Sequence, residues 1–145
     1  MNWKDAEYCV KKWNGPFALK GVMSVEDAKK AIDIGASAIM ISNHGGRQFD
    51  AAPSAPHVLP YIREAVGSEM TLMADGGVRS GLDIARLLAC GADFVLIGRP
   101  FIYAAAAAGE IGVSHMIFVL QEELRQTLAQ LGCRTLAELE HRRIL

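Results

Sequence analysis

The sequence predicts an α/β fold of four consecutive strand–helix units, half of a (β/α)8 TIM barrel. Three observations carry this reading. Residues 27–42 (DAKKAIDIGASAIMIS) and 83–98 (DIARLLACGADFVLIG) repeat one another, with 56 positions separating Asp27 from Asp83, Gly35 from Gly91 and Ala36 from Ala92. The match extends backwards to Gly21-Val22 against Gly77-Val78 and Ser24 against Ser80. Each period holds two units of about 28 residues, room for one strand and one crossover helix. Second, the strand candidates are continuous apolar runs, the pattern of strands buried on both faces of a parallel sheet. Third, polar and glycine-rich segments collect at one end of every strand. Eight such units would need roughly 225 residues plus loops. The chain has 145.

The elements follow in order. Trp3, Ala6, Val10 and Trp13 recur at helical spacing, and Asn14-Gly15-Pro16 ends that helix. A strand is expected over Phe17–Lys20. Ser24 caps the next helix, with Asp27 in the capping-box position, and Gly35 stops it. Ala38–Ser42 is the second strand, and Gly45-Gly46 opens a long loop. Ser54, Pro56 and the spacing of Leu59, Ile62 and Val66 start a helix closed by Gly67. Met70–Ala74 is the third strand. Ser80 and Asp83 form a second capping pair for a helix reaching Cys90 and Gly91. Phe94–Ile97 is the fourth strand. A small-residue helix is expected over Phe101–Ala108. A longer amphipathic helix follows, with Val113, Met116, Ile117, Leu120, Leu124, Leu128 and Leu131 on one stripe. Thr135 and Glu138 cap a last short helix.

Composition excludes several function classes. Fifteen Lys and Arg against sixteen Asp and Glu leave a formal net charge of −1, without the basic excess of a general nucleic-acid or membrane-surface binder. Three cysteines, Cys9, Cys90 and Cys133, are far apart with no CxxC pair, so neither a disulfide framework nor a structural zinc site is expected. No HxxxH motif or Cys/His cluster points to a metal. The polar start of the chain is unlike a signal peptide, and Phe101–Ala108 is too short to span a bilayer. A cytoplasmic protein without a transmembrane segment is therefore expected. His57, His115 and His141 fall on helices or helix starts and are read as exposed or packed.

In a parallel barrel, chemistry collects where the strands end. Lys20 closes the first strand, where its ammonium can meet a ligand's negative charge or simply snorkel to solvent. His44 lies two residues beyond the second strand between polar and glycine residues. It reads as a general base near neutral pH or as a solvated loop histidine. Arg47 can grip a carboxylate through a bidentate fork or make a surface ion pair. Gly76-Gly77 allow backbone N–H groups to approach an anion, and Arg79 and Arg99 add charge. Gly98-Arg99 precede a short helix, the place where barrels of this type hold a phosphate after their last two strands. Spacing alone supports a phosphate-bearing ligand beside a base and a carboxylate grip.

Ser42–Gln48 (SNHGGRQ) followed by Asp50 resembles the signature of the FMN-dependent α-hydroxy acid oxidases and dehydrogenases, which include glycolate oxidase and L-lactate dehydrogenase. WNGPFALKG at 13–21, ADGGVRSGLD at 74–83 and GADFVLIGRP at 91–100 agree with it. The resemblance covers nearly the whole chain and implies the C-terminal half of the barrel. It further implies FMN as cofactor and oxidation of a small L-2-hydroxy acid to the 2-oxo acid. In its terms Lys20 contacts the flavin edge, Ser42 hydrogen-bonds the flavin ring, His44 is the base, and Arg47 binds the substrate carboxylate with His44 beside it. Asp75 reaches the ribityl hydroxyls. Gly76, Gly77, Val78 and Arg79, with Gly98 and Arg99, hold the phosphate.

The resemblance also implies that the family's first half-barrel supplies groups missing here: further flavin contacts, a tyrosine pair, a second substrate arginine and an aspartate that orients the base. The chain is accordingly expected to be one partial domain, residues 1–145. The alternative is a catalytically incomplete fragment that self-associates as a homo-oligomer or needs a complementing N-terminal half-barrel. A type 2 isopentenyl diphosphate isomerase would share the phosphate residues, but its chemistry has no carboxylate for Arg47 to grip.

Overall fold

A computed structural model of the chain describes residues 2–142 and 144, without the side chains of Glu140 and His141. Four parallel strands lie in the order β1 (Ala18–Val22), β2 (Ala38–Ile41), β3 (Thr71–Ala74) and β4 (Phe94–Val95). Five α-helices accompany them: α1 (Trp3–Trp13), α2 (Val25–Asp33), α3 (Ala55–Val66), α4 (Gly81–Ala89) and α5 (Arg99–Gln130). Each strand pairs with the next, and α2, α3 and α4 are the crossovers between them. This is the curved half of a parallel barrel that the repeat predicts.

The repeat is kept residue for residue in the helices. α2 and α4 both have nine residues, start 56 positions apart, and are capped by Ser24 Oγ and Ser80 Oγ accepting from Asp27 N–H and Asp83 N–H. The core lies between sheet and helices: Ile39, Ile41, Leu72 and Ala74 pack against Ala28, Ala31, Leu59, Ile62 and Leu87. Burying one such leucine or isoleucine stabilises the fold by about 1.5–3 kcal/mol.

The opposite sheet face is uncovered. Lys20, Met40, Met73 and Phe94 stand in register across it, and Phe94 is 60% exposed. This is the face that looks into the barrel axis.

The strand ends differ from expectation in two places. β1 runs on to Val22 because a bulge between Lys20 and Val22 inserts Gly21 and lets Val22 pair with Ile41. β4 stops at Val95, although Leu96 N–H still donates to Ala74 O at 2.9 Å.

The two helices expected over 101–108 and 113–131 are both present within α5, separated at Ala108 and Gly109 where the backbone leaves helical geometry. By length and composition α5 is apolar enough to cross a membrane, so the apolar stretch does not end at Ala108. Its first half exposes Ile102 and Tyr103, and Ile111 beyond the break is 79% exposed. Its second half packs Leu124 and Leu128 against Ala85 and Leu88 of α4. The last element, Leu136–His141, is a 3-10 turn, and Thr135 makes no side-chain cap to it. Trp13, the last residue of α1, is exposed and donates from Nε1 to Pro16 O at 2.9 Å, closing the following turn.

At the base of the sheet, Arg63 donates to Gly91 O (2.8 Å), Gly67 O (2.6 Å) and Asp93 Oδ2 (2.6 Å), while Asp93 also accepts from Leu72 N–H. One guanidinium thus ties α3, the turn after α4 and the start of β4. At the other end, α4 begins against the backbone of α5: a Cβ on Gly81 would lie 2.1 Å from Leu124 N. Gly81→Ala is therefore expected to cost about 2–3 kcal/mol by overpacking, read as a lower urea midpoint at unchanged slope.

Candidate active site

The C-terminal ends of all four strands meet at one cavity of about 350 Å³, whose walls include Lys20, His44, Arg47, Asp75, Arg79 and Arg99. Gly76, Gly77, Val78 and Gly98 complete it. Ten of the eleven residues singled out from the sequence therefore share one opening. The eleventh, Ser42, is buried beneath it.

Ser42 sits there because β2 ends at Ile41 in the core. Its Oγ accepts from Lys20 Nζ at 2.7 Å and from His44 N–H at 3.2 Å. These bonds leave the hydroxyl proton free to donate. Lys20 Nζ also donates to Asp75 Oδ2 at 2.8 Å. The other carboxylate oxygen, Asp75 Oδ1, is buried and has no hydrogen-bond partner among the described residues, a costly state for a charged group unless a ligand donor meets it.

The loop after β2 turns sharply. His44, Gly45 and Gly46 have φ of 56°, 68° and 74°. Three consecutive left-handed residues are tolerable only because two are glycine, and the one side chain forced into that region is His44. Asn43, quoted in the motif but given no role, is what holds this turn. Its Oδ1 accepts from Gly45 N–H at 3.0 Å and its Nδ2 donates to Pro53 O at 3.2 Å. An Asn two residues before a glycine is the sequence signal for such a side-chain-closed turn. Arg47 Nε donates to His44 O at 3.4 Å, and the Arg99 guanidinium lies against Gly45, its Nη2 3.3 Å from where a Cβ would stand.

After β3, Asp75–Gly77 form an open turn, and nothing lies within 4 Å of a Cβ built on Gly77 or Gly98. The turn is held from behind by Asp83, whose carboxylate accepts from Arg79 N–H (3.0 Å), Ser80 N–H (3.1 Å) and Ser80 Oγ (2.9 Å). Burial pushes the Asp83 carboxyl up. The bonds from Arg79, Ser80 and Arg86 outweigh that and hold it below the usual carboxylate range.

The cavity walls carry four cations, Lys20, Arg47, Arg79 and Arg99, against one carboxylate, Asp75, in a chain of net charge −1. Such a focus of positive charge collects anions. A larger cavity, about 550 Å³, opens at the other end of the sheet, but its arginine, Arg63, is committed to carbonyls and Asp93. His57 and His115 are exposed on α3 and α5, away from both. The His141 side chain lies outside the described residues. Burial raises the Cys90 thiol above its ordinary value, so it stays protonated at neutral pH. Among the described residues no cluster of His, Cys, Asp and Glu could hold a metal ion.

A parallel α/β half-barrel with glycines and arginines gathered at its strand ends has the form of a barrel phosphate site. The chain belongs to the FMN-dependent dehydrogenase family, whose profile it matches over residues 1–145. It is similar to the L-lactate dehydrogenase of Caulobacter sp. (strain K31), 51% identical over 140 residues that make up 97% of this chain and 37% of that protein. It is also similar to the L-lactate dehydrogenase of Chromohalobacter salexigens, 46% identical over 139 residues, 96% of this chain and 36% of that one. Among solved structures, mandelate oxidase with benzoyl-formic acid superposes with a TM-score of 0.92 at 40% identity, covering 96% of this chain and 42% of that chain. The chain thus spans little more than a third of the length of the curated relatives it matches.

The Asp83 geometry has a pH signature. A carboxyl with a depressed folded pKa stabilises the fold above its unfolded pKa, about 3.9, and loses that contribution as pH falls through the folded value. Asp83→Asn is expected to lower stability by about 1 kcal/mol at pH 7. Urea unfolding should show the difference fading as the pH drops below that of a free carboxylate.

Proposed function

We propose that this chain carries the base, the carboxylate clamp and the phosphate site for FMN-dependent oxidation of a small L-2-hydroxy acid, such as lactate or mandelate, to its 2-oxo acid. The observation that supports it best is the convergence of His44, Arg47, Lys20 and the Asp75–Arg79 turn on one cationic cavity. In this reading the chain is one partial domain, and the rest of a catalytic barrel is supplied by further polypeptide over the uncovered sheet face.

The residues suit FMN. The unpartnered Asp75 Oδ1 can accept from a ribityl hydroxyl. The open backbone at Gly77 and Gly98, with Gly76 beside it, backed by Val78 and flanked by Arg79 and Arg99, can hold the phosphate. Lys20, oriented by Ser42 and Asp75, presents positive charge to the flavin edge, and Ser42 keeps a hydroxyl proton to donate. FMN, when bound, supplies the acceptor for the two electrons that leave the substrate.

The chain's own residues then divide the work. Arg47 binds the substrate carboxylate and sets which carbon faces His44. The His44 imidazole takes one proton from the substrate, and general-base help of this kind contributes about 10²–10⁴ in rate. Lys20 holds the positive charge against which negative charge develops.

The test is to titrate FMN into the chain and follow flavin fluorescence. L-lactate or L-mandelate is then added without oxygen, to the chain alone and mixed with the N-terminal segment of a relative. Quenching followed by bleaching of the flavin absorbance is expected at least in the mixture. Absence of both in both samples overturns the proposal. In the active sample, His44→Gln should lower kcat by about 10²–10⁴. Arg47→Met should raise KM by about 10–100-fold, the weight of a charge-assisted pair.

A further inference from the structure

We propose that Gly21 is a positioning residue for the base: its bare backbone is the surface that sets where the His44 imidazole lies. This rests on the reading of His44 as base.

Two observations meet at Gly21. The first is its backbone. Gly21 has φ +93° and is the inserted residue of the β1 bulge, where Lys20 pairs with Met40 and Val22 with Ile41. Residues two apart on a regular strand face the same side. The extra residue lets Lys20 point into the cavity while Val22, 3% exposed, turns into the core. Any side chain at 21 would be strained at that φ.

The second is space. A Cβ at 21 would stand 3.0 Å from His44 Cε1 and 3.8 and 3.9 Å from its two ring nitrogens. The imidazole therefore lies over the hydrogen-only face of Gly21. The His44 backbone cannot take up the difference, because its N–H is tied to Ser42 Oγ and its φ of 56° is already in a restricted region. The ring is the part that must give. One glycine thus aims Lys20 by its bulge and seats His44 by its missing side chain. A larger residue would move the proton acceptor relative to the charge it works with.

Gly35 separates contact from strain. It too has positive φ, +82°, but a Cβ there meets only Val10 Cγ1 at 3.8 Å. In chain carrying ¹³C-histidine, without cofactor or substrate, Gly21→Ala is expected to move the His44 Cε1–H cross-peak by more than its linewidth. The His57 and His115 peaks should stay in place, and Gly35→Ala should move none of the three. His44→Gln assigns the peak.

Urea unfolding gives a second arm. Gly21→Ala should cost less in a His44→Gly background than in the parent, by about threefold or more in the folding constant, whereas the cost of Gly35→Ala should not change. If Gly21→Ala fails to fold, it should fold in the His44→Gly background while Gly35→Ala gains nothing comparable there. An unmoved His44 peak in folded Gly21→Ala, or equal costs in both backgrounds, overturns the proposal. Neither arm needs flavin or turnover, so failure of the proposed oxidation would leave this result standing, and the reverse.

Discussion

The Lys20 ammonium joins three of the four strand ends. It leaves β1, donates to Ser42 beyond β2 and pairs with Asp75 beyond β3. The pair is not a large stabiliser. Its side chains are 45% and 23% exposed, and ion pairs that open to solvent contribute about 1 kcal/mol or less. What it determines is placement. Holding Lys20 Nζ between a hydroxyl and a carboxylate fixes its distance from the Gly76-Gly77 turn and from His44, whose N–H shares the same Ser42 oxygen. Histidine, cation and glycine turn are thereby referred to one point rather than to three independent loops.

The two ends of the sheet use arginine in opposite ways. At the N-terminal end Arg63 spends its donors on Gly91, Gly67 and Asp93, which closes turns and leaves little charge for a ligand. At the C-terminal end Arg47 makes a single long bond to a carbonyl, and Arg99 lies against a glycine. Lys20 is the one wall cation paired with the wall carboxylate. The sheet is anchored at one end and charged at the other, the division expected of a parallel barrel.

Much of this was legible in the residues. The repeat located the starts of α2 and α4 to the residue and their ends to within one, because capping serines and stop glycines are local signals. The strand-end motifs named the cavity walls for the same reason: polar residues directly after a buried run have one place to go. What escaped the reading depended on neighbours distant in sequence. The β1 bulge is visible only once Val22 is seen paired with Ile41. Helical spacing placed Trp13 in α1, but only geometry shows it as a turn clasp. Spacing separated the two helices of α5 but left their boundary open between 108 and 113; the break falls at Ala108–Gly109, where the backbone itself leaves helical geometry. Asn43 stood in plain view in the motif, yet its part is a bond to Pro53 across the loop, which spacing does not encode.

The place where the repeat breaks is the place where chemistry enters. Gly21-Val22 and Gly77-Val78 occupy equivalent positions, and both valines are buried, at 3% and 5% exposure. The scaffold requirement, a small residue followed by a plug in front of a serine-capped helix, is therefore the same in both units. The approach differs. β1 runs straight into its Gly-Val through a bulge, so Lys20 is still on the sheet when it reaches the cavity. β3 stops at Ala74, and Asp75-Gly76 open a turn before the second Gly-Val. The first unit thus delivers a side chain and the second delivers backbone N–H groups, from one architectural template. β2, lying between those two strands, contributes the histidine loop that meets Gly21 on one side through His44 and Gly76 on the other through Asn43.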